Sequence, residues 1–210
     1  MDIANVEKNF KSHKFRRLKA SKARDAAVMI PLVTDADGAL GILFEVRSRK
    51  IIQGGEICFP GGRIDEGEKP METVIREAHE ELNIPEENID IIAPMFIMNG
   101  ISDSLIYAYL GSIRDYKQSF SEDEVENVFI LSLDELISME PKESTAEFVF
   151  SMPEDFHYEL VPGGRDYSWA KRSKNYYFYE TPYGVIWGMT AELLYSFISE
   201  LKAVHTDTKA

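Results

Sequence analysis

Residues 62–84 read GRIDEGEKPMETVIREAHEELNI, and the fold is decided by how this stretch divides into a glycine-bounded loop and one amphipathic helix. Pro70 predicts the first helical turn, where its missing amide proton costs nothing. Met71, Val74, Ile75, Ala78 and Leu82 recur at helical spacing and are expected to face a core. Three glutamates, Glu77, Glu80 and Glu81, crowd the last turns. At about 100° per residue, Glu81 lies about 40° round from Glu77 and Glu80 about 60° the other way, so all three carboxylates are expected on one face. Like charges at that spacing repel, and a helix C-terminus with its free carbonyls disfavours anions. A hard divalent cation, magnesium or manganese, is the simplest compensation.

Working upstream, Ala26 to Val33 is a nearly continuous apolar run, Asp35 to Gly38 is turn chemistry, and Ala39 to Val46 is apolar again, which predicts a hairpin of two buried strands. Gly54-Gly55 then breaks the chain before a short strand, Glu56 to Phe59, that runs into Pro60-Gly61-Gly62. Downstream, Ile89 to Phe96 and Leu105 to Gly111 read as strands, and Ser119 to Asn127 as an acidic loop ahead of the strand Val128 to Leu131. Ser132 with Glu135 reads as a capping box for a short helix through Ile137. Phe156 to Val161 and Tyr176 to Glu180 read as aromatic-rich strands, and Thr190 as the cap of a last helix whose stripe is Leu194, Phe197, Ile198 and Leu201. Strands interrupted by a few helices predict an α+β fold, an α/β/α sandwich with a mixed sheet packed between helices.

The 210 residues are enough for one sizeable core, and 44% apolar content with mixed charges is that of a folded chain. The expected organisation is a basic helical segment over 1–25, one domain over 26–203 and a tail over 204–210. Residues 1–24 hold eight Lys/Arg against Asp2 and Glu7, so the total charge of −13 leaves −19 on the rest. An acidic body argues against nucleic-acid binding, which rests on phosphate neutralisation by Lys and Arg. Cys58 is the single cysteine, which excludes an internal disulfide and fits a reducing compartment. With no signal-like start and no apolar run of membrane length, the cytoplasm is the expected location and no membrane partner is expected.

Glu77, Glu80 and Glu81 could supply oxygen ligands to the cation, and a glycine carbonyl at Gly62 could reach it. Arg76, one turn before Glu80, can orient a carboxylate through paired hydrogen bonds, with Glu68 its expected partner from the loop. Gly62, Glu68 and the run Arg76-Glu77-Ala78-His79-Glu80-Glu81-Leu82-Asn83-Ile84 together resemble the signature box of the Nudix hydrolase superfamily. Asn83 stands where that family has glycine, and Asn is the next-best residue for a left-handed helix end. The resemblance implies a metal-dependent pyrophosphohydrolase that splits a nucleoside diphosphate linked to a second moiety. It implies Glu77 and Glu81, with Glu80, as ligands of Mg2+ or Mn2+. The general base is Glu80 or an acid of the Ser121–Glu124 loop, of which Glu124 is preferred.

Ile57-Cys58-Phe59-Pro60-Gly61-Gly62, preceded by Arg47-Ser48 and Gly55, is similar to the element upstream of the box in Nudix enzymes that hydrolyse coenzyme A. Asp123 to Phe129 and Tyr183 to Ala191 are similar to the same subfamily. Ile51 departs from it, standing where the family has a basic residue, and Ser48 is one position out of register. The resemblance implies 3',5'-ADP and 4'-phosphopantetheine as products, with Arg47, Arg49 and Lys50 meeting the extra phosphate and Gly61 lining the substrate. Hydrolysis of ADP-ribose, NADH or a dinucleoside polyphosphate is the alternative, and a catalytically silent nucleotide sensor another. The expected partner is a small nucleotide, with a homodimer as an option. His79 reads as a solvated helix residue, Cys58 as a packed side chain and Trp187 as core.

Overall fold

The computed structural model describes residues 23–34, 38–100 and 104–207. The basic helical segment expected over 1–25 lies outside the described residues up to residue 22, as does the turn at 35–37. The predicted hairpin forms from β1 (Ala26–Thr34) and β2 (Leu40–Arg47), antiparallel with Leu32 opposite Ile42. β3 (Ile57–Cys58) pairs with β2, and β4 (Gly61–Arg63) pairs with β1. β5 (Ile89–Asn99) and β6 (Leu105–Ile113) form an antiparallel pair, and β6 runs parallel to β1. With β7 (Val125–Ser132) against β2, these strands make one mixed seven-stranded sheet.

Alternation along the strands assigns the two faces of this sheet, since neighbouring side chains point oppositely. Ala27, Met29, Val33 and Leu43 pack with Val74, Ala78 and Leu82 of α1 (Pro70–Leu82). Ile30, Ile42 and Phe44 pack on the other side with Leu136 of α2 (Leu133–Ser138) and Ala191, Leu194, Phe197 and Ile198 of α3 (Gly188–Asp207). The sheet is therefore filled on both faces, the α/β/α sandwich expected from the sequence. Ser132 Oγ accepts from Glu135 N at 3.1 Å and caps α2, the serine half of the expected capping box.

Several local expectations are corrected. Met71 is 46% exposed, because it sits in the first turn of α1 before the helix reaches the sheet. α3 begins at Gly188, so Thr190 is inside its first turn, and the helix continues past residue 203 to Asp207. Residues 156–161 form no strand; a single 3-10 turn, Tyr158–Leu160, replaces it, and its rings pack within the loop, Phe156 on Tyr158 and on Trp169. A strand not anticipated, β8 (Lys142–Phe148), instead pairs with β9 (Arg172–Thr181), and β10 (Gly184–Ile186) completes a second sheet of order β10-β9-β8. In β9, Tyr179 is buried and Tyr177 stacks on Tyr195 of α3 at 3.9 Å between centroids. Trp187 is 44% exposed rather than core. No helix of the described residues is long and apolar enough to cross a membrane.

Candidate active site

The site assembles where the C-terminal turns of α1 meet β4. The helix ends at Asn83, whose φ of 51° and ψ of 46° place it in the left-handed region, as its sequence position predicted. Two free carbonyls of the last turn are then satisfied by the acidic loop: Ser119 Oγ donates to Leu82 O and Ser121 N to Glu81 O, both at 2.7 Å. This docking carries Glu124 toward the helix. The loop after β2 joins it from the other side, with Ser48 N donating to Glu124 O at 2.8 Å.

One ligand-type oxygen from each of Glu77, Glu81 and Glu124 lies within 4.8 Å of the others. Glu81 is almost fully buried, and its Oε2 accepts the backbone N–H of Gly61 at 2.8 Å. Burial pushes the Glu81 carboxyl up, to about 8, and the Glu77 and Glu124 charges push the same way against the Gly61 hydrogen bond and Arg47. Glu77 is also held above the usual carboxylate range, first by burial. In β4, the backbone requires glycine at 61, and the position of the Glu77 carboxylate depends on glycine at 62. A Cβ on Gly61, with φ of 148°, would meet Val28 Cα, and one on Gly62 would meet the Glu77 carboxylate. Three carboxylate oxygens this close, two of them in an enclosed setting that disfavours bare negative charge, fit a hard divalent cation.

Arg76 organises the outer side. Its Nε donates to Glu68 Oε1 at 2.9 Å and its Nη2 to Glu68 Oε2 at 3.1 Å, the paired geometry expected of guanidinium on carboxylate. Nη1 reaches Glu77 at 2.9 Å and Glu80 at 3.1 Å. Arg76 and the Thr73 hydroxyl hold the Glu68 carboxyl well below its usual range, at about 2, despite its partial burial.

Residues 23–152 match the family model described as NUDIX domain. The chain belongs to the Nudix family. It is 36% identical over 129 residues to Nudix hydrolase 3 of Caenorhabditis elegans, covering 58% of this chain and 53% of that one. It is 26% identical over 182 residues to the uncharacterized Nudix hydrolase NudL of Photorhabdus laumondii, covering 85% and 86%. Over 134 residues it is 28% identical to the peroxisomal coenzyme A diphosphatase NUDT7 of Mus musculus, covering 62% and 55%. The chain spans 53% and 61% of the lengths of the first two curated relatives it matches.

Within this Nudix domain the structure separates residues that the sequence grouped. Glu77 and Glu81 converge with Glu124, whereas Glu80 is 53% exposed, turned toward Arg76 and outside that group of three. The 60° that separates Glu80 from Glu77 is enough to carry it off the buried edge onto the solvent side. Gly62 lies against Glu77, and the Gly61 N–H is already taken by Glu81. Arg47 donates through Nε to Ile52 O at 3.4 Å. Arg49 pairs with Glu126 at 3.2 Å and Lys50 with Asp123 at 3.5 Å, so both cations reach across to the acidic loop. His79 is exposed, with Nδ1 2.6 Å from Ile84 O. Cys58 is largely enclosed, and burial pushes its thiol up, as suits a packed side chain rather than a nucleophile.

Sequence reading passed over Glu45. It is 1% exposed in the C-terminal half of β2, and its Oε1 finds no hydrogen-bond partner among the described residues. Burial first, then the Glu81 charge, raises its carboxyl well above the usual range. The signal was present: one charged residue in the otherwise apolar run Gly41-Ile-Leu-Phe-Glu-Val46.

Proposed function

We propose that the chain is a metal-dependent pyrophosphohydrolase whose substrate is coenzyme A or a derivative of it. The observation that carries the hydrolase reading is the approach of Glu77, Glu81 and Glu124 to within 4.8 Å of one another at the end of α1. Glu77 and Glu81 would hold Mg2+ or Mn2+, with the Gly62 carbonyl as a candidate further donor, and the ion when bound neutralises the diphosphate and makes water more acidic. The chain's own residues do the rest. Glu124, exposed and adjacent to both ligands, takes a proton from the attacking water onto its carboxylate. The water oxygen bonds to phosphorus as the bridging P–O bond breaks and the second phosphate leaves with the bond's electrons. Glu80 is the weaker candidate for base because its carboxylate is engaged by Arg76. Arg76 fixes Glu77, and Glu68 fixes Arg76, so the two supply orientation rather than proton transfer.

The coenzyme A assignment rests on the residue pattern over 47–62 and on similarity to relatives that include a coenzyme A diphosphatase. Arg47 ends β2, and Arg49 and Lys50 sit on the loop after it, which Ser48 ties to Glu124; these three cations would meet the extra phosphate of coenzyme A. Exposed pairs such as Arg49–Glu126 contribute about 0–1 kcal/mol, so exchanging one for a substrate phosphate costs little. Cys58 alone supports a reducing, cytoplasmic setting.

Product analysis across a substrate panel with Mg2+ or Mn2+ tests this. The expected result is 3',5'-ADP and 4'-phosphopantetheine from coenzyme A. Hydrolysis of ADP-ribose, NADH or a dinucleoside polyphosphate with coenzyme A untouched would overturn the substrate assignment. Nucleotide binding without turnover, in metal-loaded protein, would replace the hydrolase by a sensor.

A further inference from the structure

Glu45 is held by sheet pairing on both sides, opposite Cys58 of β3 and opposite Val128 of β7, so its position is set by backbone hydrogen bonding rather than by its own side chain. Leu43, two residues earlier and therefore on the same face, packs in the cluster of Val74, Ala78 and Leu82 of α1. Glu45 thus projects toward the helix that carries Glu77 and Glu81. Its surroundings agree: the charges that act on it are, in order, Glu81, Arg47, Glu124 and Glu77, which include all three carboxylates of the site. It is nine-tenths buried and more, and one of its oxygens lacks a protein partner among the described residues. A leucine or methionine would fill this slot without that cost, since burying a carboxylate unpaired is unfavourable. Buried polar atoms left over by the protein's own hydrogen bonding point to a ligand that satisfies them.

We propose that Glu45 is a third carboxylate of the cation seat, a positioning residue whose inward oxygen is satisfied by the hydrated cation held by Glu77 and Glu81, with Glu124 left as the base. The inference rests on the metal-dependent reading above and adds to it an inner wall that the signature stretch does not contain. Glu45 does not touch the substrate in this scheme. It orders the side of the cation that faces the sheet, leaving the side toward Glu124 and solvent for the diphosphate. The rival account is a core carboxyl with no part in cation binding, for which the amide is an equal or better fit.

The test is Mn2+ titration of the full chain, with the free ion measured by electron paramagnetic resonance, for the unaltered protein, Glu45→Gln and Glu77→Gln. Metal-free melting temperatures are measured in parallel. The expected result is a rise of about tenfold in the Mn2+ Kd for Glu45→Gln, the effect of losing an outer-shell partner. Its metal-free melting temperature should equal or exceed that of the parent. A Kd within twofold of the parent, while Glu77→Gln weakens binding, overturns the role of Glu45 and leaves the cation reading standing. Unchanged Mn2+ binding in both variants overturns the cation reading and this inference together. Should Glu45→Gln fail to fold, Glu45→Met, of similar length and without charge, is judged by the same Kd thresholds.

Discussion

Gly61 donates its backbone N–H to Glu81 Oε2 at 2.8 Å, so the loop entering α1 holds the carboxylate at the helix's far end, 20 residues later. The contact needs close packing of loop on helix, and Gly62 beside it leaves no room for a Cβ against Glu77. Gly62→Ala is expected to displace the Glu77 carboxylate while the sheet persists. Circular dichroism should remain that of the parent, and Mn2+ affinity should fall by at least tenfold; an unchanged Kd would show that the loop does not shape the site.

Glu77→Gln and Glu81→Gln remove a charge from a crowded, half-buried to buried cluster. Turnover is expected to fall by at least a hundredfold for each. Metal-free stability should be unchanged or higher by up to about 1 kcal/mol, because like-charge repulsion at helical spacing and carboxylate burial are both relieved. Thermal melts in chelator decide this, and a large loss of stability for either variant would count against the charge-crowding account.

The Glu68–Arg76 pair governs the acid limb of stability. The Glu68 carboxyl is lowered from its ordinary 4.5 to about 2 in the folded chain, so the folded state binds this proton less readily than the unfolded one. Its stabilisation is therefore complete above about pH 4.5 and is lost as pH falls through about 2, on the order of 2–3 kcal/mol. Glu68→Gln should flatten that part of a denaturation profile measured between pH 2 and 5. Retention of the full acid slope would place the stabilisation elsewhere.

Asn83 occupies a left-handed conformation at the end of α1. Asn83→Gly is expected to be neutral or to stabilise by about 0.5–1 kcal/mol, and Asn83→Val to destabilise by about 1–2 kcal/mol, since a β-branched residue resists positive φ. Urea midpoints at constant slope would measure both, and a stabilising valine would contradict the assigned backbone.

The signature helix, its Pro70 start and its Asn83 end were legible because each depends on residues within one or two turns. The β1–β2 hairpin was legible for the same reason, as two apolar runs separated by turn residues. Glu68 as the partner of Arg76 was also anticipated, and it sits within one helix-and-loop unit. The second sheet was not: β8 reads as mixed polar sequence, and its pairing with β9 closes a long intervening loop that no local pattern announces. Trp187 failed as a core residue because hydrophobicity ranks residues but does not say which positions a neighbouring element covers.

By itself, the order of residues determined the amphipathic helix and the presence of an acidic cluster needing compensation, which follow from short-range periodicity and backbone preference, while the family came from the likeness of residues 62–84 to the Nudix signature. Only the tertiary structure decided which acids meet. It brought Glu124 to Glu77 and Glu81 through the Ser119 and Ser121 contacts, turned Glu80 out to Arg76, and enclosed Glu45 behind the site. Such convergence depends on how distant strands and loops dock, and a carboxylate's burial and neighbours, not its place in the chain, set its chemistry.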